Sequence, residues 1–353
     1  MASRAALAIS TSFMSDARMD SFFPAPTIAH GWVQTLGAAV PFWAPPGYFA
    51  PQVSERLRLA VPGTASALHG HAWWHRDSVD HPTALLVHGV GGSAEAAYLV
   101  RAAVALYDAG YHVVRLDLRG AGTSADEWDT RYHAGLSSDV VAACNELSRD
   151  RRVGDLALIG FSLGGHLSLH VSADAATMSV GNLKAVVALA APVELAATVK
   201  YLARPAALPF HGFVVVSLVA QTLEMIEQRP DMIPCTRKEL LRVRSLWDYD
   251  ELVVARMHAF LGARDYYERS SVAPRLSTLG RPTLFLYAAD DPMVPAAVTE
   301  AVLARGVSAN LHVEKTERGG HLGWVARPDR ESFVRSWPIA RMQHFLSSNM
   351  RSP

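Results

Sequence analysis

Only two cysteines, Cys144 and Cys235, occur in the 353-residue chain. Two thiols make no disulfide framework, although the sequence leaves open whether they meet, and no CxxC spacing offers a cysteine metal cluster. So few cysteines suit either redox compartment and favour the cytoplasm. Net charge is also missing, because 33 Lys and Arg balance 33 Asp and Glu. Strong long-range attraction to nucleic acid or an anionic membrane is therefore not expected. Long hydrophobic runs are lacking too. The longest are strand-length, against the ~20 residues a membrane span needs. No transmembrane segment is expected, and any membrane association would be weak. The opening MASRAALAISTSFM holds one arginine and a short apolar piece, too little for a secretory signal, and reads as a loose arm. There is no internal repeat, acidic tail or low-complexity segment, and nothing that specifies an oligomer.

What is present is a globular composition, 50% apolar and 19% charged, able to bury a substantial core. Residues 1–50 mix Pro, Gly and aromatics (PFWAPPGYF), which reads as an extended arm pinned to a surface. Val53–Val61 alternates and predicts a half-buried strand, with Ala65–His75 as its partner and Gly70 as a bulge or bend. Then strands apolar on both faces alternate with helices: Thr83–Gly89, Ala94–Gly110, His112–Gly120, Leu136–Asp150, Asp155–Gly160, a helix from Ser162, and Asn182–Pro192. That is the pattern of a mostly parallel sheet covered by helices on both sides, an α/β class. The alternation stops over 193–274, which reads as helical apart from a possible strand at Phe213–Val219. Some 80 residues is too long for an ordinary crossover, so a helical cap or lid is expected there. The sheet resumes at Pro282–Asp290 and ends with Ala309–Thr316, giving a core of 51–192 and 275–353.

The chemistry concentrates at strand ends. GFSLG (Gly160–Gly164) fits G-x-S-x-G, in which serine projects from a strained strand-to-helix turn and glycines let the backbone pass closely. Ser162 then lies near helix amides that favour developing negative charge. The acid and histidine should follow in that order. YAADDPMVP supplies Asp291, with Asp290 in reserve, and GGHLGW supplies His321 after the last strand. Serine would attack, His321 would take its proton, and the aspartate would fix the imidazole tautomer. His166 and His170, nearest in sequence, are pointed away from this role by their helix. In LLVHGVGGSAEA the backbone is the working part. The amides of Val90 and Leu163 form the candidate oxyanion hole, with Gly89 allowing the turn and His88 positioning the loop. Neither glycine-rich turn matches G-x-G-x-x-G or a phosphate loop, and no HExxH-like set indicates a metal, so no cofactor and no metal are expected. In DLRGAGTS, Arg119 is expected to tie loops through a carboxylate, with Asp139 the candidate.

Together these segments resemble the α/β-hydrolase superfamily, and within it the YheT-like hydrolases, relatives of eukaryotic abhydrolase-domain proteins linked to ester and lipid substrates. GWVQTL, VHGVGG, GFSLGG, RYHAG, the long SLWDYDELVVARMHAFLGARDYYERSSVAPRL, DDPMVP and GGHLGW carry the resemblance over most of the chain. It implies an α/β-hydrolase fold with an inserted cap and a Ser162, Asp291 and His321 triad. Trp32 stands where the family has histidine, and LDLRGAG replaces a common Phe-Arg-Gly form. The expected activity is hydrolysis of a carboxylic ester, acyl or lipid-like, through an acyl-enzyme. Acyl transfer with the same triad and a non-catalytic binding role are the rivals. The partner is a small-molecule ester, not nucleic acid. Tyr266, Tyr267 and His258, at the return of the cap, are expected to shape the entrance or to pack between cap and core.

Overall fold

The computed structural model describes residues 22–39, 51, 53–76, 80–326 and 336–350. The expectations for residues 1–21 and 40–50 lie outside the described residues. Eight strands form one sheet: β1 (Glu55–Ala60), β2 (Ala67–Trp73), β3 (Thr83–Val87), β4 (His112–Asp117), β5 (Leu156–Phe161), β6 (Leu183–Leu189), β7 (Thr283–Ala288) and β8 (Leu311–Thr316). Their order is β1-β2-β4-β3-β5-β6-β7-β8. β1 and β2 run antiparallel at one edge, and every pairing from β4 to β8 is parallel. Strands β3, β4, β5 and β7 are buried along their whole length. Helices must therefore cover both faces. Helix α1 (Gly31–Ala39) lies before the sheet; α2 (Ala97–Asp108), α3 (Ser137–Leu147) and α4 (Leu163–Asp174) connect its first parallel strands. Helix α4 is buried from Leu163 through Ala173, so it runs through the interior.

Among the described residues between β6 and β7 there is no strand. This stretch holds α5 (Leu195–Leu202), α6 (Leu208–Gln228), several short turns and α7 (Ala263–Ser270). The expected strand at Phe213–Val219 is instead part of α6. Its β-branched run favoured a strand locally, but Val214, Leu218, Thr222 and Met225 recur at helical spacing and are buried. Phe213 and Val216 point outward, 73% and 68% exposed. The span Pro205–Gln228 is also long and apolar enough to cross a membrane by length and composition, its 18-residue window having mean hydropathy 1.6 with 39% of that window buried in the protein. One such helix is a weak sign and leaves the expectation of no transmembrane segment standing. Polar Ser217, Gln221 and Thr222 interrupt the run, which is why it did not read as one apolar segment.

Gly70 is neither a bulge nor a bend. Its register against Leu57 and Leu116 is continuous. A Cβ there would come within 2.9 Å of Val114, so the glycine permits close packing across the sheet. Residues 31–39 form a helix rather than an extended arm. Arg101 of α2 donates to the last carbonyls of α1, at Gly37 (3.1 Å) and Ala38 (2.5 Å).

The β4 end is tied by buried charge. Arg119 and Asp139 form the expected pair through two bonds of 2.9 and 2.6 Å. Asp117 accepts from the amides of Ala94 (2.6 Å) and Thr123 (2.9 Å), and from the Thr123 hydroxyl, with His71 Nε2 at 3.1 Å. Burial alone would raise its pKa, but these bonds outweigh burial and hold it at about 2, below the ordinary 3.8. Because the folded value is depressed, the stabilisation is complete above about pH 4 and fades as pH falls toward 2. We expect Asp117→Asn to cost about 2 kcal/mol in urea unfolding at pH 7, with a smaller difference at pH 3. Equal stabilities at pH 7 would count against this account.

Candidate active site

The four loops with the candidate residues leave the carboxyl ends of β3, β5, β7 and β8, where parallel-sheet sites form. Ser162 sits at the β5–α4 turn with φ 54° and ψ −117°, a conformation that costs a non-glycine residue roughly 1–3 kcal/mol. The turn closes because its neighbours have no side chains. A Cβ on Gly160 would be 2.1 Å from the Gly164 carbonyl, and one on Gly164 would be 2.2 Å from that of Val87. The Ser162 amide donates to Leu189 of β6 (2.8 Å), which fastens the turn to the neighbouring strand.

Ser162 Oγ lies 2.9 Å from His321 Nε2, and His321 Nδ1 lies 2.8 Å from Asp291 Oδ2. A carboxylate beside Nδ1 keeps the proton there and leaves Nε2 to accept from the serine hydroxyl. Asp291 Oδ1 accepts from the amides of Met293 (2.7 Å) and Val294 (2.9 Å), which set the carboxylate plane. All three side chains are buried. Asp290, the reserve acid, faces elsewhere: its Oδ1 accepts from the Gly320 amide (2.9 Å) and braces the histidine loop. Burial raises its pKa.

The glycine-rich loop after β3 is held from three sides. Gly89 donates to the Tyr98 hydroxyl (2.9 Å) and Gly91 to the Tyr132 hydroxyl (2.7 Å). The Gly91 carbonyl accepts from Gln221 Nε2 (2.8 Å) and Ser217 Oγ (3.2 Å) of α6. Between these anchors, the Val90 N–H has no acceptor among the described residues, and neither has the Leu163 N–H. His88 is fully buried. Its Nε2 accepts from the Leu118 amide (3.2 Å), so its Nδ1 donates to the Gly89 carbonyl (2.7 Å). Burial lowers its pKa and keeps the ring neutral, as suits a positioning role.

Ser162, Leu163, Val90 and His321 open into a cavity of about 90 Å³. Leu195, Val199, Leu202, Val214 and Leu246, from the helical stretch between β6 and β7, supply its apolar wall. Tyr266 and Tyr267 also line it, whereas His258 does not. The His258 ring instead packs 4.3 Å from that of His133, which in turn contacts Tyr266. A larger open groove of about 380 Å³ runs outside the glycine-rich loop past Gly91, Gly120 and Gln221, but neither Ser162 nor His321 reaches it. The described residues hold no group of three His, Cys, Asp or Glu side chains arranged for a metal ion.

Several supporting residues escaped the sequence reading. His166 and His170 both reach the Ser270 carbonyl (2.8 and 3.0 Å), pinning the end of α7 to the helix behind Ser162. The buried Arg131 guanidinium binds Thr222 and Gln221 of α6 and the hydroxyl of Tyr249. Gln34 donates to the Val325 carbonyl (3.0 Å) and accepts from its amide (2.7 Å). Thr35 Oγ1 accepts from the His321 amide itself (2.8 Å). The signal for these two lay in GWVQTL, where their polarity within an apolar helix had no reason of its own. Thr35→Val keeps the shape of the side chain but strands a buried N–H. We expect it to destabilise the protein by about 1–3 kcal/mol in denaturant melts; a loss below about 0.5 kcal/mol would show that the contact contributes little.

The folded chain is similar to a Pyrococcus furiosus esterase of known structure, with a TM-score of 0.54 at 16% identity over 88% of this chain and 99% of that one. This likeness is one of fold, the α/β-hydrolase fold. In sequence it is 26% identical to the Escherichia coli protein named "Putative esterase YheT", over 69% of this chain and 71% of that protein. It is 23% identical to the monoacylglycerol lipase of Saccharomyces cerevisiae, over 75% of this chain and 59% of the yeast protein. A family model described as serine aminopeptidase, S33, matches residues 80–324, and the chain therefore belongs to this Hydrolase_4 family of α/β-hydrolases.

Proposed function

We propose that the protein is a serine hydrolase that cleaves carboxylic esters, acyl or lipid-like, through an acyl-enzyme. The observation that carries this reading is the continuous Ser162–His321–Asp291 hydrogen-bond chain, opening into an apolar cavity beside two amides without acceptors. Relatives named esterase and monoacylglycerol lipase support the ester as substrate class. Ser162 Oγ attacks the ester carbonyl as its proton passes to His321 Nε2. The Val90 and Leu163 amides hold the oxyanion, each such donor being worth ~3 kcal/mol. Asp291 stabilises the imidazolium. The tetrahedral intermediate collapses with loss of the alcohol, which takes the proton from His321. Water then gives its proton to His321 and attacks the acyl-Ser162, releasing the acid and restoring the serine. In this reading residues 193–274 are a cap that covers the cavity and excludes bulk water.

The test is a panel of p-nitrophenyl esters from acetate to long acyl chains, with an aminoacyl p-nitroanilide as the amide control. Ester turnover should exceed amide turnover. Ser162→Ala should lower turnover by roughly 10⁴-fold or more and abolish labelling by a fluorophosphonate. Asp291→Ala should cost far more turnover than Asp290→Ala, since only Asp291 touches the histidine. Well-folded wild-type protein that neither turns over esters nor takes the label would sink the reading. Added alcohols that capture the acyl group in preference to water would reassign the enzyme as an acyltransferase.

A further inference from the structure

The cavity that holds Ser162 is apolar on most of its wall, with one carboxylate that the chemistry above does not use. Asp250 lines it. This residue begins a single π-helical turn, Asp250–Val254, set between short helices at Leu246–Tyr249 and Ala255–Met257. Such turns cost helix regularity and recur at functional sites. Asp250 is 94% buried, the complement of its 6% exposure. Its Oδ2 accepts from the Tyr267 hydroxyl at 2.6 Å. Its Oδ1 has no donor among the described residues, and no cation there pairs with the carboxylate. Burial pushes the carboxyl up to about 7, with the Tyr267 bond opposing the rise. A carboxyl so placed is costly unless something satisfies it. Tyr266 beside it accepts from the Ala134 amide (3.0 Å), which leaves its hydroxyl proton available to the same space.

We propose that Asp250, oriented by Tyr267, forms a polar subsite in the acyl-transfer cavity that selects esters carrying a hydroxyl group. The proposal rests on the hydrolase reading and names its substrate class more narrowly. A hydroxyl donates to Oδ1 without bringing a second charge into an apolar space, whereas an ammonium would have to be desolvated as well. Asp250 does not touch the reacting bond in this scheme. It sets which substrates are held, while the surrounding leucines and valines reject water.

The test uses two near-isosteric pairs that exchange a methyl for a hydroxyl. On the acyl side, p-nitrophenyl 3-methylbutanoate is compared with p-nitrophenyl 3-hydroxybutanoate. On the alcohol side, propyl butanoate is compared with 2-hydroxyethyl butanoate. A site built to bind a hydroxyl discriminates strongly against the analogue lacking it. Wild-type protein should favour the hydroxylated member of at least one pair by about tenfold or more in kcat/KM. The double variant Asp250→Leu/Tyr267→Phe removes both partners of the buried bond, so neither is left stranded. In it the preference should vanish or invert, the ratio within a pair being the readout rather than the absolute rate. Equal kcat/KM within both pairs for the wild type overturns the subsite and leaves the hydrolase reading standing. A wild-type preference that survives in the double variant also overturns it, because the selecting group then lies elsewhere. Absence of turnover for all four esters, together with no fluorophosphonate label at Ser162, sinks the hydrolase reading and the subsite with it.

Discussion

The site depends on one backbone approach. Helix α4 can start directly beneath β3 only because Gly164 has no side chain to strike the Val87 and His88 carbonyls. That approach forces the turn at Ser162 into its positive φ and aims the hydroxyl out of the sheet's edge. It also exposes the Leu163 amide at a helix start, where no earlier carbonyl is positioned to accept it. The strain is local, and its cost is met by the buried contacts of β5 and α4 on both sides. A methyl on Gly164 or on Gly160 would strike backbone carbonyls at 2.2 and 2.1 Å, so neither position admits a side chain without a shift of the turn.

Around this point the protein uses neutral and paired polar groups rather than free charge. His88, His166 and His170 are all buried, and burial lowers the pKa of each. Two of them have a defined donor side: His88 donates from Nδ1 to the Gly89 carbonyl, and His170 accepts from Arg275 at Nδ1 and donates from Nε2 to the Ser270 carbonyl. The charges that are buried nearby, Arg119 with Asp139 and Asp117 with its ring of donors, are fully bonded. Two carboxylates depart from that pattern: Asp290, whose buried Oδ2 has no hydrogen-bond partner among the described residues, and Asp250, which alone of the two lines the cavity.

Much of this was legible in the sequence. The alternation from Thr83 to Pro192 gave the parallel sheet because period and burial agree there. Ser162 and His321 stood out because glycine on both sides of a polar residue has a backbone meaning. The strand-end position put Asp291 first with Asp290 in reserve, but adjacent residues in a turn point opposite ways, and the contact with His321, made by Asp291 and not by Asp290, is what local pattern could not supply. Helix α6 was misread over Phe213–Val219 because a run of valines has the same local preference in a buried helix as in a strand. The roles of Thr35 and Arg131 depend on contacts with residues far along the chain, His321 and Thr222, and sequence spacing carries no information about them.

The bonds from Gln221 and Ser217 to the Gly91 carbonyl join the roof of the cavity to the loop that carries the Val90 amide. Lifting α6 to admit a bulky molecule would break both, and would free the loop from one of its three anchors. Under the proposed function, such a lift would also slacken the loop that offers the Val90 amide, so that admitting a substrate and holding its oxyanion would oppose each other.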